Sequence, residues 1–171
     1  MATKKNKEKK WPWDDEIAQS ADNLLQNARK NIREINKMTD DAIKLIMEVH
    51  RWCGSLWPNS GWNNRWGEGC EHFFFYNLEY LTKKHFIHGE PVCLGIILVT
   101  ACTGYDHEAI TKDILDVGVK VRPEEMGVTA EDVIEAFASC KDYCEKNGLF
   151  YTAINEIKVD RSFIKKILKE L

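Results

Sequence analysis

The sequence predicts an all-α fold, a packed helical bundle. Apolar residues recur at three- and four-residue spacings through most of the chain. The alternating apolar–polar runs that mark half-buried strands are nearly absent. Asp, Thr and Gly stand where those helical patterns begin and end. The chain has 171 residues, 44% hydrophobic and 30% charged, enough for one domain with a sizeable core.

In chain order, residues 1–11 carry Lys4, Lys5, Lys7, Lys9 and Lys10 and read as a disordered basic tail. No apolar segment of signal-peptide type follows the tail. Residues 12–171 read as the helical domain. Ile17, Ala21, Leu24, Leu25, Ala28, Ile32 and Ile35 predict one helix over 14–35, with Asp14, Asp15 and Glu16 at the positive end of its dipole. Thr39 is the N-cap expected for the next helix. Its apolar face is Ile43, Ile46, Met47, Val49, His50, Cys53 and Leu56, and it ends near Trp57-Pro58. The Asn- and Gly-rich stretch 59–69 reads as a loop. Two apolar helices follow, over 70–82 and 89–103, the second with Pro91 in its first turn, where a missing N–H costs nothing. Asp106 caps a short helix through Val117 that Gly118 stops. Residues 119–127 are extended or irregular. A capping box at Thr129-Ala130-Glu131-Asp132 opens a helix that runs to Asn147-Gly148. Residues 150–157 form a loop or short strand, and Asp160 caps the last helix.

These features exclude several classes of function. The net charge of −3 gives no electrostatic basis for binding nucleic acid or an anionic membrane. The longest apolar stretch, 92–102, falls short of the ~18 residues that a membrane-spanning helix needs, and Gly95 and Thr100 interrupt it. It fits a buried core helix. No Gly-rich strand–turn–helix fingerprint marks a dinucleotide site. Of the six cysteines none forms a C-x-x-C pair, and Cys140 and Cys144 stand one helical turn apart. All six read as reduced thiols, and the chain as cytoplasmic.

His72 and His88 are the candidate site residues. Each stands beside a glycine-marked start of an apolar helix, His72 in the first turn of one and His88 at the start of the next. If the connection 83–87 returns the chain to the same end of the bundle, the two imidazoles converge and form part of a metal site. Neutral imidazole suits zinc, iron(II), nickel or copper. Glu71 and Glu90 flank the pair and are expected to orient the rings. The competing reading makes both histidines helix-end residues satisfied by backbone carbonyls, and His50, His85 and His107 are read that way.

The segments Gly69-Cys70-Glu71-His72 and His88-Gly89-Glu90-Pro91-Val92-Cys93-Leu94-Gly95 resemble the C-terminal helical metal-binding domain of the iron-containing alcohol dehydrogenase and dehydroquinate synthase-like superfamily. The similarity is strongest to the sn-glycerol-1-phosphate dehydrogenase branch. It continues weakly through the SGWN loop and the LDVGV, RPEE and EDV segments, over most of 12–171. The resemblance implies that His72 and His88 hold a divalent metal, zinc or iron, which polarises a substrate oxygen. It also implies hydride exchange with NAD(P) bound on a separate Rossmann-like nucleotide-binding subunit, and a small polyol or phosphorylated substrate. A homo-oligomer is compatible with it. Asn63, Asn64 and Arg65 face such a substrate in this reading, although no motif assigns them. Two features of the family pattern find no counterpart in the sequence, its acidic third ligand in a G-D segment and its nucleotide domain. The expected activity is therefore oxidoreductase chemistry only with a nucleotide-binding partner. The alternative is a non-catalytic, free-standing helical domain acting as a binding or regulatory module.

Overall fold

A computed structural model describes residues 13–59 and 67–171, the side chains of 56–59 excepted. The basic tail and Asn63, Asn64 and Arg65 lie outside the described residues. The described chain is all-α, with no strand among the described residues. Its helices are α1 (Asp15–Lys30), α2 (Ile32–Asn36), α3 (Asp40–Asn59), α4 (Cys70–Thr82), α5 (Gly89–Thr103), α6 (His107–Val117), α7 (Ala130–Ala138), α8 (Cys140–Lys146) and α9 (Arg161–Glu170), with a 3-10 turn at Ala153–Asn155 between the last two. None of the helices is long and apolar enough to cross a membrane.

The caps work as their residue types require. Asp14 accepts from the backbone N–H groups of Glu16 and Ile17 at 2.9 and 3.0 Å. Asp106 accepts from Ala109 N–H at 3.1 Å. Thr129 and Asp132 close a reciprocal capping box, 3.1 Å in one direction and 2.8 Å in the other. Gly104 and Gly118 end α5 and α6 with φ of 77° and 93°, a left-handed conformation that glycine adopts without penalty.

The structure corrects three expectations. The helix read over 14–35 breaks at Asn31 into α1 and α2, because the Asn31 amide donates to the Asn27 carbonyl at 2.8 Å and so competes with the backbone ladder. The helix read over 129–147 breaks at Ser139. Ser139 Oγ donates to the Glu135 carbonyl at 2.8 Å, and the buried Asn77 amide reaches across from α4 to donate to Ser139 Oγ at 2.9 Å and to the Ala136 carbonyl at 2.7 Å. The inner face of α3 is set by Ala42 and Leu45, whereas Ile43 and Met47 are exposed.

The core lies around α4 and α5, which bury residues on nearly every side, as a central helix must. Phe73, Phe74 and Leu78 of α4 meet Leu94, Ile97 and Leu98 of α5, with Val133 and Phe137 of α7 and Ile164 of α9 closing over them. Phe74 and Phe137 pack edge to face at 5.9 Å, and Phe73 and Phe150 do so at 5.0 Å. None of the six cysteines is in a disulfide, and Cys70, Cys140 and Cys144 are buried in this core. By contrast, α1 and α2 bury no residue. They dock on α6 through polar contacts, Arg29 to Asp113 at 2.6 Å and the Asn36 amide to the Val117 carbonyl at 3.0 Å.

Asn77 carries the tie between α4 and the α7–α8 break. Asn77→Ala leaves the Ala136 carbonyl without this donor in a buried place. It is expected to lower the unfolding free energy by about 2 kcal/mol in a urea melt, the cost of an orphaned buried acceptor plus a small cavity.

Candidate metal centre

Two central helices start at one end of the core, and each start carries a histidine. After α4 the chain turns through Lys83, left-handed at φ 56°, and continues without regular secondary structure to Ile87. From His72 to Thr82 a helix rises about 15 Å, at about 1.5 Å per residue. Residues 83–87 can span at most about 17 Å, at about 3.3 Å each. That reach is enough for the connection to return the length of the helix, and the meeting of His72 with His88 shows that it does. It is held on the way back by Glu79, whose Oε1 accepts from Phe86 N–H at 3.3 Å and lies 3.4 Å from His85 Nδ1.

The result is a close imidazole pair. His72 Nε2 and His88 Nε2 lie 3.1 Å apart, with ring centroids at 5.0 Å. The return that the sequence required is present, and the two site histidines are brought together. His72 is largely covered and His88 is exposed, so the pair is open to solvent on one side only. Phe75, one turn along α4 from Glu71, packs edge-on to the His88 ring at 5.0 Å and 82°.

Glu71 stands beside the pair. Its Oε1 lies 3.1 Å from His72 Nδ1, and the residue is 9% exposed. Burial pushes the Glu71 carboxyl up, but charge and hydrogen bonding around it, the bond from His72 included, outweigh burial and hold it at about 2. A carboxylate oxygen can only accept, so this contact pairs it with the Nδ1–H form of His72. In the neutral ring this leaves the Nε2 lone pair pointing at His88. Glu90 is half-buried and makes no hydrogen bond to either ring, so of the two flanking carboxylates only Glu71 orients the pair.

The other histidines divide differently from the sequence reading. His85 faces Glu79 rather than a carbonyl, His50 is exposed in the middle of α3, and His107 opens α6. The sequence reading missed two neighbours of the site. Tyr76 follows His72 by one turn, with ring centroids 6.4 Å apart. Burial, aided by the Glu68 carboxylate, pushes its phenol up to about 12, so it stays protonated. The i, i+4 spacing from His72 was the available signal. The second is Gly95, which interrupts the apolar run of α5. A Cβ there would lie 2.9 Å from the Glu71 carbonyl oxygen and 3.0 Å from its Cα, so α5 crosses α4 in contact with the residue that orients His72.

The pair fits a shared metal ion. Two zinc–nitrogen bonds of about 2.05 Å opened at the tetrahedral angle hold their nitrogens about 3.3 Å apart. The observed 3.1 Å is close to that bite. A carboxylate on the distal nitrogen of a ligating histidine is the usual support for such a ring. Among the described residues no group of three or more His, Cys, Asp or Glu side chains surrounds one point.

No family model matches the chain. Curated relatives do. Over 140 residues, 81% of this chain and 39% of the relative, it is 24% identical to a glycerol-1-phosphate dehydrogenase [NAD(P)+] of Thermofilum pendens. It is 27% identical over 59% of its length to the enzyme of that name from Nitrosopumilus maritimus, covering 28% of it. It is 28% identical over 60% of its length to that of Saccharolobus solfataricus, covering 29%. The chain thus spans well under half the length of the curated relatives it matches, and what it shares with glycerol-1-phosphate dehydrogenases is a partial stretch that covers most of its own residues.

Proposed function

We propose that this chain is the metal- and substrate-binding part of an NAD(P)-dependent dehydrogenase acting on glycerol phosphate or a related polyol, working with a Rossmann-like subunit that supplies the nucleotide site. The observation that carries this reading is the 3.1 Å approach of His72 Nε2 and His88 Nε2 in a chain similar to glycerol-1-phosphate dehydrogenases. His72 and His88 are the residues that would hold a divalent metal, zinc or iron. Bound there, the metal supplies Lewis-acid polarisation of the substrate's alcohol or carbonyl oxygen.

The chain's own residues do the rest. Glu71 keeps the His72 Nε2 lone pair turned outward. Phe75 fixes the face of the His88 ring. The buried start of α4 and the buried body of α5 seat both on the core, so little ordering remains to be done on binding. Tyr76, kept protonated by burial and by the Glu68 carboxylate, lines the same face of α4 as His72. Asn63, Asn64 and Arg65, which precede α4 in the sequence, are the residues that would supply substrate contacts.

One observation favours a second reading, a free-standing helical module with a binding or regulatory role. It is the lack of a third candidate ligand beside the pair among the described residues. Metal titration of the purified chain addresses both readings. The expected result is one divalent ion per chain, with His72→Ala and His88→Ala each weakening it by at least about 100-fold, beyond the 10–100-fold that outer-shell partners cost. Unchanged binding in either variant overturns the metal assignment. Reduction or oxidation of NAD(P) by the chain without any partner overturns the division of labour.

A further inference from the structure

We propose that Glu71 is the positioning residue of the histidine pair, its side chain fixing the tautomer of His72 while its backbone, seated against Gly95, fixes the distance from His72 to His88. Two independent contacts meet at this residue. Its Oε1 lies 3.1 Å from His72 Nδ1, on the far side of the ring from His88. Its carbonyl oxygen and Cα lie 2.9 and 3.0 Å from the place a side chain on residue 95 would begin. The helix carrying Gly95 is the one whose N-cap is His88. One residue therefore registers both rings, the first by a hydrogen bond and the second through the crossing of the helices.

Burial is what makes the arrangement effective. Glu71 is 9% exposed, and its neighbours on α4, Cys70 and Phe73, are buried. A carboxylate so placed cannot exchange the His72 N–H for bulk water, and it has no freedom to follow a ring that turns. Loss of its charge leaves His72 free to carry its proton on Nε2, the nitrogen that faces His88. That tautomer cannot ligate a metal from this side.

The proposal rests on the metal-site reading for its functional consequence, but the tautomer itself is observable without metal. The test is a long-range 1H–15N spectrum of histidine-labelled protein at pH 8, with the His72 signals assigned as those missing in His72→Ala. Wild-type His72 is expected in the Nδ1–H form, and Glu71→Gln is expected to shift it towards Nε2–H. Cobalt(II) affinity of the same variant is expected to fall 10–100-fold. Glu71→Asp keeps the charge on a shorter arm and retains part of both signals, and it serves if Glu71→Gln does not fold. A wild-type His72 in the Nε2–H form overturns the proposal, as does a tautomer that neither variant moves. If cobalt(II) fails to bind even the wild type, the metal reading falls while the tautomer result still decides the role of Glu71.

Discussion

Phe74→Ala is expected to destabilise the fold by about 3–5 kcal/mol, the range for deleting a buried ring whose surroundings cannot collapse into the space. Phe74 is fully buried where three helices meet. Its ring packs edge to face on Phe137 of α7, and its Cδ1 lies 3.1 Å from where a Cβ on Gly95 of α5 would sit. None of these neighbours is a long flexible side chain able to fill the hole. A chain of this size loses about 2–4 °C of melting temperature per kcal/mol, so a thermal melt followed by circular dichroism reads the effect directly. Ile87→Ala is the control. Ile87 is 72% exposed in the return segment, and its truncation is expected to stay within about 0.5 kcal/mol.

Gly95→Ala and Gly54→Ala are expected to move stability in opposite directions. Both glycines lie within helices, where alanine is favoured by about 1 kcal/mol. At Gly54 nothing among the described residues lies within 4 Å of the new methyl, so the backbone gain stands alone and the variant gains about 0.4–1 kcal/mol. At Gly95 the methyl meets the Glu71 backbone at 2.9 and 3.0 Å. Helix backbone held in a buried crossing cannot yield as the tip of a side chain does. Overpacking of this kind costs about 1–3 kcal/mol or more and outweighs the propensity gain, leaving the variant about 1–2 kcal/mol less stable. It also parts α5 from α4 at the residue beside His72, so metal binding is expected to weaken together with stability in Gly95→Ala and to be unchanged in Gly54→Ala. Paired urea melts and cobalt(II) titrations of the two variants check this.

Much of the fold could be read from local chemistry. Asp106, Thr129 and Asp160 mark helix starts because a short side-chain acceptor is the cheapest partner for free N–H groups, and that requirement is local. Gly118 marks a stop for the equally local reason of its φ. The break at Ser139 was not readable, because neither glycine nor proline stands there. The break depends on Asn77, which is 62 residues away in sequence. The inner face of α3 was misassigned for a related reason. Ile43 and Met47 are as apolar as the residues that are buried, but the helix turns Ala42 and Leu45 inward. The candidate site was readable as two residues and a condition on the connection between them. What meets that condition, the anchoring of Phe86 and His85 along the side of α4 at Glu79, is tertiary structure. The role of Gly95 was hidden as well. In the sequence it looks like a weak point in a greasy helix, and only the crossing partner shows why a side chain is excluded there.

The return path from Lys83 to Ile87 turns loop length into a measured quantity. Surface connections usually tolerate insertions and deletions, because the elements they join are held by their own packing. Here the segment is a ruler running from the end of α4 to His88, tied to α4 where Phe86 N–H meets Glu79. Removing or adding one residue displaces His88 along the ruler by about 3.3 Å. That step is larger than the 3.1 Å that separates the two nitrogens. Chains that keep this pair therefore have little freedom in the number of residues between α4 and α5, even though nearly every side chain in that connection is exposed.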